Sequence, residues 1–146
     1  MEDRKFQLVH GDPYRRYRVN AIETASPLML VVMLYSEAIK MCEQALLDFG
    51  KNKESVHNKL IRAQKIVTEL TVALNMDAGG ELSQNLKSLY LYLHMRLVEA
   101  NVENNREKVE EALRILRELR EAWEHVTVEQ RRDIVRRAGH LKPADE

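Results

Sequence analysis

Apolar positions along this chain recur at helical spacing in four long stretches, each closed by a turn signal. The first is unusual. From Leu28 to Tyr35 eight apolar residues follow one another without a polar break. Ser26 can accept hydrogen bonds from the orphan amides of a new helix, and Pro27 suits the first helical position, where its missing N–H costs nothing. A helix is predicted from Pro27 to about Phe49, with Gly50 as its stop. At 100° per residue Val31, Leu34, Tyr35, Ala38, Met41, Cys42, Ala45 and Phe49 share one face, which is the candidate core stripe. Ser36, Lys40, Glu43 and Gln44 mark the opposite, solvated face. Met29 and Met33 point to that same solvated side two turns earlier, with Leu30 between the two faces. The apolar surplus is therefore local to the helix start.

The second stretch follows a polar connection at 51–57, which can include the first turn of the next helix, and runs from about Val56 to Met76. Val56, Leu60, Ala63, Val67, Leu70 and Leu74 alternate spacings of four and three, the seam of a helix lying nearly parallel to a neighbour. Ile66 and Ala73 widen this stripe on one side. Asp77-Ala-Gly-Gly80 breaks it. The third, about Glu81 to Glu103, carries two stripes. Leu82, Leu86, Leu89, Leu93, Leu97 and Ala100 form one, with Tyr90 at its edge, while Leu91, Met95, Val98 and Val102 form another on the opposite side. A helix with two apolar faces is either sandwiched between neighbours or lines a groove.

Asn104-Asn105 is a tight connection able to cap the fourth helix, about Arg106 to His125. Val109, Ala112, Leu113, Leu116, Leu119 and Trp123 give it a single stripe, and opposite charges such as Glu110 and Arg114 sit four apart on its outer face. Four helices of some 30 Å each, joined mostly by short connections, predict an all-α antiparallel up-down four-helix bundle. The expected organisation is one helical-bundle domain: an N-terminal arm at 1–23, the bundle at 24–126, and a short extra C-terminal helix with a tail at 127–146. The arm contains Pro13 and the run Tyr14-Arg-Arg-Tyr17, with scattered apolar residues to dock by; a disordered terminus is the alternative. Thr127-Val-Glu-Gln130 matches a capping box and opens the last helix, which ends at Gly139. Its arginines 131, 132, 136 and 137 alternate with Asp133 and small apolar residues, so a solvated helix is the plainer reading than a nucleic-acid or lipid contact.

Composition narrows the function class. The 23 basic and 23 acidic residues balance, so no summed field draws the chain toward nucleic acid or a membrane. No apolar run approaches the roughly 18 residues of a membrane span, and the opening Met-Glu-Asp-Arg-Lys-Phe lacks the apolar core of a signal peptide. A lone Cys42 cannot form an internal disulfide and suits a reducing compartment. The expectation is a soluble, intracellular protein. Catalytic signals are missing: the five histidines form no pair at one-turn spacing, and no nucleophile–base pattern or inward carboxylate pair appears. Gly79-Gly80 has neither the preceding strand nor the following Lys-Ser/Thr of a phosphate-binding loop. Glu54-Ser-Val-His57 has one half of a di-iron bundle motif without the second copy such a site needs. Neither an enzyme nor a metal, cofactor or small-molecule site is expected.

What remains is binding. Met29, Leu30 and Met33, the row Leu91, Met95, Val98 and Val102, and Ile66 at its stripe's margin are the candidate partner-binding residues. Either the arm and C-terminal helix cover these surfaces as extra core, or they receive amphipathic segments of a partner, where methionines adapt to varied side chains. A scaffolding bundle that homodimerises through its stripes is the alternative from another class.

Several strings, taken together in order, resemble the flagellar secretion chaperone (FliS) family. They are Tyr14-x-x-Tyr17, Thr24-Ala-Ser-Pro27, Met33-Leu-Tyr35, Lys59-Leu-Ile-Arg-Ala-Gln-Lys-Ile66 with Glu69-Leu70, Leu89-Tyr-x-Tyr92, Arg96-Leu-Val-Glu-Ala-Asn101 and Trp123. The resemblance covers about residues 14 to 123. It implies a bacterial cytoplasmic export chaperone that binds the C-terminal region of flagellin, which is unfolded alone and becomes helical as it wraps the bundle. It further implies prevention of premature filament assembly, presentation to the flagellar export apparatus, and no nucleotide or metal. The family's tyrosine-bearing N-terminal segment can lie over part of the client site, which makes Tyr17, or Tyr14, the candidate regulatory residue. The basic helix after Trp123 has no clear counterpart in the family pattern.

Overall fold

The computed structural model describes residues 27–74 and 76–125, with side chains described at 29–74 and 80–125. Four helices account for nearly all of this, and no strand occurs among the described residues. They are α1 (Pro27–Asp48), α2 (Lys53–Ala73), α3 (Met76–Glu103) and α4 (Arg106–Glu124). The chain divides into two compact units, Met1–Leu30 and Val31–Glu146. The bundle belongs to the second, and of the first only the opening turn of α1 is described. The N-terminal arm and the expected C-terminal helix lie outside the described residues.

Local chemistry sets the helix ends. Gly50 stops α1 with φ +80°, a left-handed backbone in which a side chain would be strained. The amides of Lys51 and Asn52 both return to the Asp48 carbonyl, at 2.9 and 3.0 Å. Asn52 then caps α2, its side chain accepting from the Ser55 amide at 3.0 Å, while the Ser55 hydroxyl donates to the Asp48 carboxylate. So the first turn of α2 falls inside the polar connection, and α2 begins at Lys53. It also ends early, because Leu74 takes an extended backbone (φ −65°, ψ 132°). At the third junction Gly80 has φ 57° and ψ −130°, a non-helical kink after which α3 continues regularly. Asn104 turns the chain with a positive φ of 55°, a conformation Asn tolerates better than most residues, and Asn105 caps α4 through the Lys108 amide at 3.2 Å.

Cross-helix contacts give the arrangement. Ser36 meets Arg120, Glu43 meets Arg117, and the Leu46 carbonyl meets Arg106, so α4 runs antiparallel to α1. His57 meets Asn101 and Gln64 meets the Leu97 carbonyl, so α3 runs antiparallel to α2. Glu37 meets Arg62, and Glu111 and Lys108 meet Arg96 and Glu99, closing the other two edges. Each of α1 and α3 thus neighbours both α2 and α4, and the two occupy diagonal corners of an up-down bundle.

Across that diagonal the phenol oxygens of Tyr35 and Tyr90 share a hydrogen bond of 2.5 Å, with the rings edge to face at a centroid distance of 6.4 Å. Burial, above all, raises both phenols beyond the ordinary tyrosine range, so the pair is neutral. Around it lie Leu34, Ala38, Cys42, Leu60, Val67, Leu70, Leu93, Leu97, Val109, Ala112 and Leu116, all buried. Each large aliphatic among them contributes about 1.5–3 kcal/mol through burial. Three expectations change here. Tyr90, expected at the margin of the α3 stripe, is at its centre. Ile66 is only 1% exposed and belongs to the core, so it cannot serve a partner. Leu82, expected in the core stripe, is exposed: the pairing of His57 with Asn101 and Gln64 with Leu97 brings the end of α2 opposite about residue 87, so α2 does not reach it.

Candidate partner-binding face

The outer row of α3 remains in solvent. Leu91, Met95 and Val102 are 52, 60 and 79% exposed, and Val98 is half-buried in the same row. The row follows from helical geometry. On α3, Leu93, Leu97 and Ala100 face the core, while Tyr92, Arg96 and Glu99 reach α4. The third side, beyond the Asn101 edge that contacts α2, is left to Leu91, Met95, Val98 and Val102. The structure therefore brings these four candidates together as one strip along the outside of the α2–α3 seam.

The helix beside the strip adds residues that periodicity did not single out. Gln64 donates to the Leu97 carbonyl, so this edge of α2 faces α3. Ile61 is half-buried near that edge, and Val72, three turns further along α2, is strongly exposed. A stripe read from α2 alone assigns both to ordinary surface. The seam carries polar bonds, Asn101 to His57 Nδ1 at 2.9 Å and Gln64 Nε2 to Leu97 O at 3.4 Å, and no ion pair among the described residues crosses it.

The opposite edge of α3 differs sharply. Tyr92 donates to Glu111 at 2.5 Å and accepts from Arg96 Nε at 2.9 Å, and the Arg96 guanidinium lies 5.0 Å from the Tyr92 ring centroid. Lys108 bridges Glu103 and Glu99, at 3.0 and 3.1 Å. These bonds hold its ammonium above the usual range, and the Lys108 bond holds the Glu99 carboxyl below its own. The charged groups of α3 from Arg96 to Glu103 are gathered on the α4 side, away from the row of Leu91, Met95, Val98 and Val102.

The remaining candidates separate from this strip. Met33 is half-buried on the outer side of α1, at the diagonal corner, so its face and the α3 row look away from each other with α2 and α4 between them. Met29, exposed, and Leu30, half-buried, lie in the first turn of α1, within the first unit. Tyr14 and Tyr17 fall outside the described residues. The predicted surfaces are thus not one groove.

Other chemistry finds no geometry among the described residues. Cys42 is fully buried and its thiol is pushed up to about 12, chiefly by burial, so it is protonated and inert. His57 is engaged with Asn101, and no group of three or more His, Cys, Asp or Glu side chains could hold a metal ion. No described helix is long and apolar enough to cross a membrane.

The family model described as flagellar protein FliS matches residues 10–130. The flagellar secretion chaperone FliS of Bacillus subtilis is 32% identical over 84% of this chain and 91% of its own length. That of Escherichia coli is 33% identical over 71% of this chain and 78% of its own, and that of Salmonella typhimurium is 31% identical over 74% and 82%. The match ends at residue 130, so it stops just inside the basic tail segment.

Proposed function

Because the chain belongs to the flagellar protein FliS family, we propose that it is a non-enzymatic cytosolic chaperone for the C-terminal region of flagellin. In this reading it keeps the subunit from polymerising early and presents it to the flagellar export apparatus. One observation carries the reading: a bundle whose core is already closed keeps Leu91, Met95 and Val102 in water, with Val98 half-buried among them. A monomeric domain gains nothing from such a row, whereas a segment that folds on binding needs a long apolar track to offset its ordering entropy. Methionine at its centre suits a client whose side chains vary along the track.

The separation of Met33 from the α3 row shapes the proposal. A client that uses both faces must pass round α2 or α4, so wrapping replaces insertion into a single groove. Met29 and Leu30 are further candidate client contacts in this proposal, and an arm bearing Tyr14 and Tyr17 competes with the client.

Titration calorimetry with a flagellin C-terminal fragment tests it. A one-to-one complex is expected, and Met95→Glu should weaken it at least tenfold, about 1.4 kcal/mol. Absence of any complex overturns the client assignment; full affinity in both Met95→Glu and Val98→Glu overturns the site. Deleting residues 1–18 should leave affinity equal or tighter, and weaker binding would make the arm part of the site. A dimer of the free protein that persists on dilution and buries Met95 would support the scaffolding alternative instead.

A further inference from the structure

The two helices that carry the separated apolar faces are joined through the centre of the bundle by a polar link. Tyr35 is fully buried, Tyr90 is 2% exposed, and their phenol oxygens stand 2.5 Å apart in an otherwise apolar surrounding. The hydrogen bonds that Arg62, Gln64, Arg106 and Arg117 make to a neighbouring helix run along the bundle's edges instead. Apolar contact is non-directional, whereas a hydrogen bond has a direction and a narrow range of length. A phenol oxygen about 6 Å from the helix axis, held within about 0.5 Å, lets its helix turn by only about 5°. Leu91 follows Tyr90 directly, about 100° round α3, and Met33 precedes Tyr35 by two residues, about 200° round α1. A turn of either helix therefore carries its outer face with it.

We propose that Tyr35 and Tyr90 are positioning residues for client binding. Their bond fixes the rotation of α1 and α3, and so the angle between the Met33 face and the row Leu91, Met95, Val98 and Val102. This role rests on the client proposal, in which one segment meets both faces. Such a segment binds best to faces already held at the right angle, because ordering them is then no longer a cost of association. A merely stabilising pair behaves differently when both hydroxyls are removed. The two satisfy each other, so their joint loss leaves no orphaned group and little lost stability. A core repacked with apolar groups loses its single arrangement before it loses stability. The double change to phenylalanine thus separates positioning from folding.

Spin labels on Lys40→Cys and Met95→Cys, at exposed positions of α1 and α3, test it in the free full-length protein. Cys42 takes no label, because its thiol is buried. The distance distribution between the labels should be about twice as broad once Tyr35→Phe and Tyr90→Phe are combined, with the denaturant midpoint largely kept. Without labels, that double variant should bind the flagellin C-terminal fragment about threefold to tenfold more weakly than the unaltered chain. A distribution that does not broaden overturns the proposal. So does affinity that follows stability across the two single variants and the double, since the pair then only stabilises. The labels need no client, so a fragment that fails to bind the unaltered chain sinks the client assignment alone, and the label distances still judge the pair.

Discussion

Helices α3 and α4 lie side by side and antiparallel, yet they treat water in opposite ways. α4 has a single stripe: Val109, Ala112, Leu113 and Leu116 are buried, and its outer side is charged, with Arg106–Glu110 and Arg114–Glu118 ion pairs at four-residue spacing. α3 buries an equivalent inner row, Tyr90, Leu93, Leu97 and Ala100, and then exposes a second apolar row. The inner rows of both helices do the same work of closing the core. The difference lies outside, where α4 is finished against solvent and α3 is not. Stability does not require the outer row of α3, so its hydrophobicity points to something other than this bundle's own folding.

The comparison breaks most visibly at the inner rows. Leu97→Ala on α3 and Leu116→Ala on α4 should each cost about 2–5 kcal/mol in denaturant melts, since both side chains are fully buried and leave a cavity. A loss much smaller for Leu97 would mean that α3 is held by its outer row instead. Next in size is the diagonal. Tyr90→Phe leaves the Tyr35 hydroxyl buried without its partner and should cost about 1–3 kcal/mol, and the double change to Phe should recover much of it. Additive losses in that cycle would show the two hydroxyls to be independent.

The smallest effects sharpen the outer contrast. Met95→Ala should shift stability by no more than about 0.5 kcal/mol, because its side chain is mostly in water already. On α4, Glu118→Ala should cost about 0.3–0.5 kcal/mol, decreasing with added salt as the exposed pair with Arg114 is screened. The decisive readout is binding: Met95→Ala should weaken the flagellin fragment's affinity and Glu118→Ala should not. Equal loss in both would erase the distinction between the two helices.

Features set within a turn or two of chain were legible from the residues alone. Asn and Gly at the helix ends act on their nearest amides and carbonyls, so Gly50, Asn105 and the Gly80 break could be read directly, and the helical period identified four helices and the double face of α3. Burial is a property of neighbours, and there the linear pattern ran out. Tyr90 is central because Tyr35 meets it across the diagonal, Ile66 is closed in by packing that its own helix does not reveal, and Leu82 is open because α2 ends before reaching it. The same arrangement sets Met33 and the α3 row on opposite corners. A helix specifies its own faces, but which face meets another helix, and which is left to water, depends on where the other three stand.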